Sequence, residues 1–320
     1  MIRAHLDAAS LARIRLSASP ASEAVSWLRL TANGQKHAVF GDPGPAARFA
    51  LRDPDVALLA KTLPPGARYV PDLLTPKPLA GSAEQTWTGQ VDAIRETPRE
   101  TVLDQLDECA AVGQTVDRAV RDAAERGTFA RRAASGLATF WRYAVADAWP
   151  VLHGRMQADL VNRTATMAAH GVGALLGSLH PTVSWTGQAI EVDKPFEEEL
   201  HYAGTELVLA PSVLGWPKVL VQLCDPAEAV LAYPALGVGA EPGATVADGL
   251  SRLLGATRAS LLRDLDVPRS TGDLSTRHQL APATVSYHLK VLHGSGLVTR
   301  TRDRRTVLYR RTEQGDALHG

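Results

Sequence analysis

Read for the spacing of its apolar positions, the chain changes character three times. From Pro45 to about Thr182 hydrophobic residues recur at three- and four-residue steps, the period of helices with one buried face. "GPAARFALRDPDVALLAKTL" is one such segment, interrupted at Pro54, and "PDLLTPKPLAGS" is a proline-rich connection. Helices are predicted at about 84–96, 99–125, 128–151 and 155–178, with Gly127 placed as the stop of the second. The first 40 residues mix polar and apolar positions and are expected to be only partly ordered. Past His180 the period shortens. "TVSWTGQAIEV" predicts a hairpin turning at Thr186-Gly187, and "TELVLAPS", "KVLVQLCDP" and "AVLAYPAL" add three short Val/Leu-rich strands. Together they predict a small antiparallel sheet over about 183–235. "GVGAEPGA" (237–244), with three glycines and a proline, reads as a linker.

Beyond the linker the helical period returns. "TVADGLSRLL" and "ATRASLLRDLDV" meet at Gly255 and place Leu250, Leu253, Leu254, Leu261, Leu262 and Leu265 on one stripe. Pro268 stops the second piece. "STGDLSTRHQ" then predicts a short helix with Ser270 or Thr271 as N-cap and Asp273 in the first turn. Pro282 suits the first turn of the next helix, which sets Val285, His288, Leu289 and Leu292 at i, i+3, i+4 and i+7. Its other face carries Ala283, Thr284, Ser286, Tyr287 and Lys290. Short side chains there let a backbone approach a DNA major groove, while hydroxyls, a phenol and an ammonium reach bases or phosphates. "LVTRTR" and "TVLYRRT" around "DRR" predict a hairpin bearing Arg300, Arg302, Arg304 and Arg305, suited to a minor groove or to clamping phosphates. His288, on the apolar side, reads as a core or boundary residue rather than a base contact.

This stretch resembles the winged helix-turn-helix of the ArsR-type bacterial repressors over about 248–316. The matching pieces are T-R before an apolar helix, T-x-x-L, P-A-T-V-S-x-H-L-K-V-L, and G-L-V leading into an Arg-rich wing closed by Tyr309. The resemblance implies that 281–295 is a recognition helix and 297–312 a wing, and it adds Thr271, on the motif's first helix, to the DNA-contact set. Family members that sense metals carry a cysteine pair on that first helix or Asp/His ligands on the terminal one. Here those places read "TGDLSTRHQ" and "TEQGDALHG", so metal sensing through them is not expected. Such wings usually turn on Asp-Gly, whereas this one has Asp303-Arg304, which predicts a longer or strained turn. Upstream, "YVPDLLTPKP", "LVLAPSVLGWPKVLVQ" and "LAYPALGVG" are similar to a long N-terminal domain of uncharacterised role that precedes winged helices in actinobacterial regulators.

Charge sharpens this picture. The net charge of the chain is zero, yet from Ala244 onward 12 Lys/Arg stand against 7 Asp/Glu. A basic tail on a neutral chain suggests a module that faces a polyanion. At 320 residues with 45% hydrophobic content, two domains with real cores are expected: 1–240, helical to about 182 and then the sheet, and 244–320. The fold class is therefore α+β, with a C-terminal winged helix-turn-helix. Cys109 and Cys224 are isolated, which fits a reducing cytoplasm. The N-terminus carries Arg3, Asp7, Arg13 and Arg15 and is expected to be neither signal peptide nor anchor, and no apolar run of eighteen residues predicts a membrane span.

Enzyme chemistry finds little footing. His5, His37, His153, His170, His180 and His201 never pair at metal-binding spacing, "PFEEEL" reads as a solvated face, and "GVGALLG" is a helical lookalike of a nucleotide-binding loop. Neither cofactor nor resident metal is expected. "FWRYAVADAWPVLHGR" clusters Phe140, Trp141, Tyr143, Trp149 and His153; a core stripe is the favoured reading, with Trp141, Arg142, Trp149 and Arg155 as a candidate pocket for a non-metal effector. The expectation is a cytoplasmic homodimer that binds operator DNA and represses transcription, its N-terminal domain dimerising and sensing a small molecule. An enzyme-like N-terminal domain and a winged helix that docks a protein stay open as alternatives.

Overall fold

The computed structural model of the chain describes residues 1–239, 254–278, 280–303 and 306–318. They fall into two units, Met1–Gly239 and Ala240–Gly320. The α+β class holds.

The first unit contains nine α-helices among its described residues: α1 (Ala8–Ala12), α2 (Pro20–Ala32), α3 (Gly44–Ala50), α4 (Pro54–Ala60), α5 (Ala83–Glu96), α6 (Arg99–Ala111), α7 (Arg118–Glu125), α8 (Phe129–Ala144) and α9 (Trp149–Gly177). Local chemistry sets several starts. Pro54 begins a helix rather than bending one, because Asp53 Oδ1 accepts the N–H groups of Asp55 and Val56 at 2.9 and 3.1 Å. Ser82 and Gln85 form a reciprocal capping box at the head of α5. At the centre lies α8, with Phe129, Ala133, Ala134, Leu137 and Phe140 all at 0–1% exposure and helices α2 to α7 around it. Gly136 permits the closest approach: a Cβ there would stand 2.6 Å from the Asp55 backbone on α4.

Two predicted boundaries are corrected. The segment 99–125 is two helices, since the chain leaves α6 at Val112 and turns through Gly113 in the left-handed region (φ +79°). The segments 128–151 and 155–178 divide instead at 145–148, where buried Val145 keeps the apolar period running through a turn and so hides the break; α9 begins at Trp149 with Pro150 in its first turn. A second break sits inside α9, at Gly171 (φ +83°, ψ 169°).

The sheet is also different from the one expected. The strands are β1 (Ile2–Leu6), β2 (Arg15–Leu16), β3 (Val183–Trp185), β4 (Ala189–Val192), β5 (Glu198–Tyr202), β6 (Val208–Ser212), β7 (Leu220–Gln222) and β8 (Val230–Pro234). They form two four-stranded mixed sheets, ordered β3-β4-β1-β5 and β2-β6-β8-β7, not one antiparallel sheet over 183–235. The hairpin at Thr186-Gly187 forms. The start of the chain supplies the missing strands: β1 pairs antiparallel with β4 and parallel with β5, and β2 pairs parallel with β6. The first 40 residues are thus structural, and the alternation of β1 was legible: Ile2, Ala4 and Leu6 are buried, Arg3 and His5 half-buried. Parallel partners must be distant in sequence, so no local pattern announces them. Ile2, Ala4 and Leu6 join Leu175, Ile190, Val192, Tyr202, Leu231 and Tyr233 in a core separate from that around α8.

The second unit contains α10 (Ala256–Arg263), a 3-10 turn (Asp264–Asp266), β9 (Arg269–Ser270), α11 (Thr271–His278), α12 (Pro282–Gly294), β10 (Val298–Asp303), β11 (Thr306–Arg311) and α13 (Glu313–Ala317). Its sheet is ordered β10-β11-β9. Ala259, Leu261, Leu262, Leu265, Leu274, Val285, Leu289, Leu292, Leu297 and Val298 make its core. The predicted helix "TVADGLSRLL" lies outside the described residues except for Leu254, as do Leu250, Leu253 and the linker from Ala240 onward. Among the described residues no helix is long and apolar enough to cross a membrane.

One buried acid joins the two parts of the first unit. Glu23, in the first turn of α2, is 1% exposed and accepts hydrogen bonds from Ser212 Oγ (2.5 Å), Val213 N (3.2 Å) and Leu214 N (2.7 Å) at the end of β6. Burial pushes its carboxyl up to about 7, against the pull of those donors, from an ordinary value of 4.5. A carboxyl raised on folding contributes stability that is complete below about pH 4.5 and is lost as pH rises through 7. Glu23→Gln is therefore expected to flatten the fall in stability between pH 5 and 8 seen by denaturant unfolding. Glu23→Ala, which strands two buried N–H groups, is expected to cost about 2–3 kcal/mol.

Candidate nucleic-acid interface

Helix α11 begins with a reciprocal cap. Ser270 Oγ accepts the Asp273 N–H at 3.1 Å and donates to Asp273 Oδ2 at 2.7 Å, and Asp273 Oδ2 accepts the Ser270 N–H at 3.0 Å. Thr271 is the first helical residue, half-buried. The far end is fixed by Asp264, which binds Arg277 at 2.7 Å and His278 at 3.0 Å. The Arg277 hydrogen bond, ahead of the others, holds the Asp264 carboxyl below its usual range. The turn into α12 is closed from both sides: Ser275 Oγ donates to the Leu280 carbonyl at 2.6 Å, and Leu280 N to the Ser275 carbonyl at 3.1 Å. Ala281 is extended and Pro282 opens α12, where no N–H is needed.

Packing then sorts the faces of α12. Val285 and Leu289 have no exposure and Leu292 has 1%, packed against α10 and α11. Ala283, Thr284, Ser286, Tyr287 and Lys290 are all exposed, Tyr287 at 61%. His288 sits between, half-buried, its ring edge-on to Tyr287 at 5.4 Å and its Nδ1 buried without a hydrogen-bond partner.

The wing is an antiparallel hairpin in register from Val298↔Arg311 to Asp303↔Thr306. Arg300 and Arg302 are exposed and share a strand face with Val298. Arg304 and Arg305, between the two strands, lie outside the described residues. Exposed Arg310, on the opposite face, was missed in the sequence, although its alternation with Tyr309 and Arg311 points to it. Other arginines of the unit turn inward. Arg311 binds Asp316 at 2.7 Å and the Arg263 carbonyl at 3.3 Å, and Arg269 binds the Asp264 carbonyl at 2.6 Å. The basic excess is thereby divided into internal braces and an outward set that includes Lys290, Arg300, Arg302 and Arg310.

In the first unit the candidate effector residues are only partly brought together. Trp141 stacks on Trp87 at 4.2 Å and meets Trp149 at 4.9 Å, and Trp149 stacks on His153 at 5.3 Å. This half-buried row packs against the α8 core. Arg142 lies over Tyr143 at 5.1 Å and Arg155 over Phe40 at 5.2 Å, each engaged with a ring other than the tryptophans. An open recess of about 390 Å³ lies elsewhere, lined among others by Asn33, Lys61, Leu63 and Asp117. Histidines that never pair in sequence do pair in space: His5 and His201 stack beside Glu199.

A helix-turn-helix domain family matches residues 253–301, and a family of unknown function, DUF5937, matches residues 137–239. No curated protein matches the chain. The three-helix core, the wing and this match define the class, that of DNA-binding transcription regulators with a C-terminal helix-turn-helix. Within that class, this chain sets its helix-turn-helix behind a DUF5937 segment. That segment spans β3 to β8 but not β1 and β2, on which both sheets depend.

The two faces of α12 should separate in a stability measurement. Leu289→Ala is expected to lower protection of α12 amides in hydrogen exchange of the full chain by about 2–4 kcal/mol. Tyr287→Ala is expected to change it by less than about 0.5 kcal/mol.

Proposed function

We propose that the protein is a sequence-specific transcriptional repressor of the ArsR type, acting as a cytoplasmic homodimer. The observation that carries this reading is the division of α12, whose apolar stripe is buried while its small, hydroxyl-bearing and cationic side chains are all exposed. Two symmetry-related copies of α12 sit in successive major grooves, with Ala283, Thr284, Ser286, Tyr287 and Lys290 reading or positioning. Thr271 contacts the backbone at the head of α11. The wing arginines Arg300, Arg302, Arg304 and Arg305, joined by Arg310, grip the flanking minor groove or phosphates. The order of α10, α11, α12 and wing supports the ArsR type.

The Met1–Gly239 unit dimerises the protein and answers to a small-molecule effector, not to a metal on the motif's own helices. Trp141 and Trp149, in ring contact on α8 and α9, support this region as the place for a non-metal effector, with Arg142 and Arg155 on the same two helices. Ligand binding changes the spacing of the two recognition helices and so the affinity for the operator.

Fluorescence anisotropy of the full chain on DNA from its own promoter tests the reading. Selective binding with a steep salt dependence is expected. Lys290→Ala and Arg300→Ala are each expected to weaken binding to all sequences and to reduce the salt slope by about 1, whereas Tyr287→Ala is expected to change sequence preference by about 1–3 kcal/mol at one position. Saturation that ignores competitor sequence refutes specificity, and a salt slope indifferent to Lys290 and Arg300 refutes the assigned face.

A further inference from the structure

The β3-β4-β1-β5 sheet turns one face away from the core. On it stand Arg3 and His5 of β1, Glu191 of β4, and Glu199 and His201 of β5. Parallel register sets His5 opposite His201 and Arg3 opposite Glu199. The two imidazoles stack with centroids 4.6 Å apart and planes 9° from parallel. His5 Nε2 lies 3.0 Å from Glu199 Oε1. One ligand atom from each of the three residues falls within 4.8 Å of the other two.

Five features make this more than a polar surface. Two imidazoles and a carboxylate form the donor set of a borderline divalent transition metal, Zn²⁺ foremost, whereas Mg²⁺ and Ca²⁺ favour all-oxygen shells. Ligand atoms around a tetrahedral zinc at about 2.0–2.2 Å stand roughly 3.3 Å apart, and the three here already lie within 4.8 Å of one another. The backbone beneath is set, because β1 is hydrogen-bonded on both sides, to β4 and to β5. Glu199 and His201 lie two apart on an edge strand, open to solvent, which leaves room for water at a fourth position. The nearby cation Arg3 is matched by Glu191 at 2.9 Å, so Glu199 gives the site its own negative charge.

We propose that His5, Glu199 and His201 bind one divalent transition-metal cation of the Zn²⁺ class, with water completing its coordination. The site belongs to the first unit and does not depend on the reading of the second.

Isothermal titration of Zn²⁺ into the full chain, prepared without a histidine tag, tests it, together with the visible absorption of Co²⁺ bound in its place. One saturable equivalent per chain is expected. His5→Ala combined with His201→Ala is expected to weaken Zn²⁺ binding at least tenfold and abolish the Co²⁺ band, Glu199→Gln to weaken it, and His170→Ala, on α9, to leave it unchanged. Absence of saturable uptake, or an affinity that the double variant leaves intact, overturns the proposal. Should the double variant misfold by circular dichroism, histidine carbethoxylation of the unaltered protein decides. Zn²⁺ is expected to shield His5 and His201 and spare His170; equal labelling of all three with and without Zn²⁺ overturns the site.

Discussion

Burial of Val285, Leu289 and Leu292 on one stripe of α12 determines everything that helix presents to the outside. A helix can bury one face, and removing these three side chains from water is worth roughly 5–8 kcal/mol before entropy is counted. Turning α12 by one residue about its axis would put Ser286, Lys290 and His293 into the Leu261, Leu262 and Leu265 core and expose the leucines. The first change desolvates a cation or hydroxyl without a partner and the second forfeits the burial, so one rotation is selected by several kcal/mol. The polar face is therefore a by-product of folding that is held rigidly in place. Asp264 extends this control to α11, because Arg277 and His278 both close on it.

The first unit solves a different problem. Its two sheets are completed by residues from the start of the chain, and closing a loop of some 190 residues onto β5 and β6 costs little more than closing one half as long, about 0.6 kcal/mol. Once β1 is between β4 and β5, its inward side chains fill the core and its outward ones meet Glu191, Glu199 and His201. A buried network secures the other end. Tyr233 donates to Asp159 Oδ2 at 2.7 Å and Leu236 N to Asp159 Oδ1 at 3.0 Å, while Arg163 stands 3.4 Å from the same oxygen and donates to the Ser178 carbonyl at 2.6 Å. At 3.4 Å the Arg163 contact is electrostatic rather than a hydrogen bond, and it offsets the cost of burying the aspartate. The last strand is thus fixed to α9 just ahead of the linker.

What could be read in the sequence follows the range of the forces involved. Helix periodicity, the Thr186-Gly187 turn and the split faces of α12 are local, and each was visible in the residues, whereas Pro54, read as an interruption, starts a helix capped by Asp53. The break at 145–148 was not, because Val145 sustains the apolar period through a turn. The mixed sheets were not, because parallel pairing leaves no mark on either strand. The same blindness covered the His5, Glu199 and His201 cluster, whose members are 194 residues apart in the case of His5 and Glu199. On α12 every candidate residue is exposed in the structure, whereas of the effector residues of the first unit, picked by proximity in sequence, Trp141 and Trp149 meet while Arg142 and Arg155 turn toward the rings of Tyr143 and Phe40.

The central claim is that a rigidly presented face on α12 reads DNA sequence. The most direct measurement is selection of genomic fragments by the full chain, with a Thr284, Ser286 and Tyr287 triple alanine variant in parallel. The account calls for an enriched two-fold symmetric motif whose half-sites lie about one helical turn apart, lost or altered in the variant while general affinity for DNA persists. Enrichment of no motif, or of the same motif by both proteins, would contradict it.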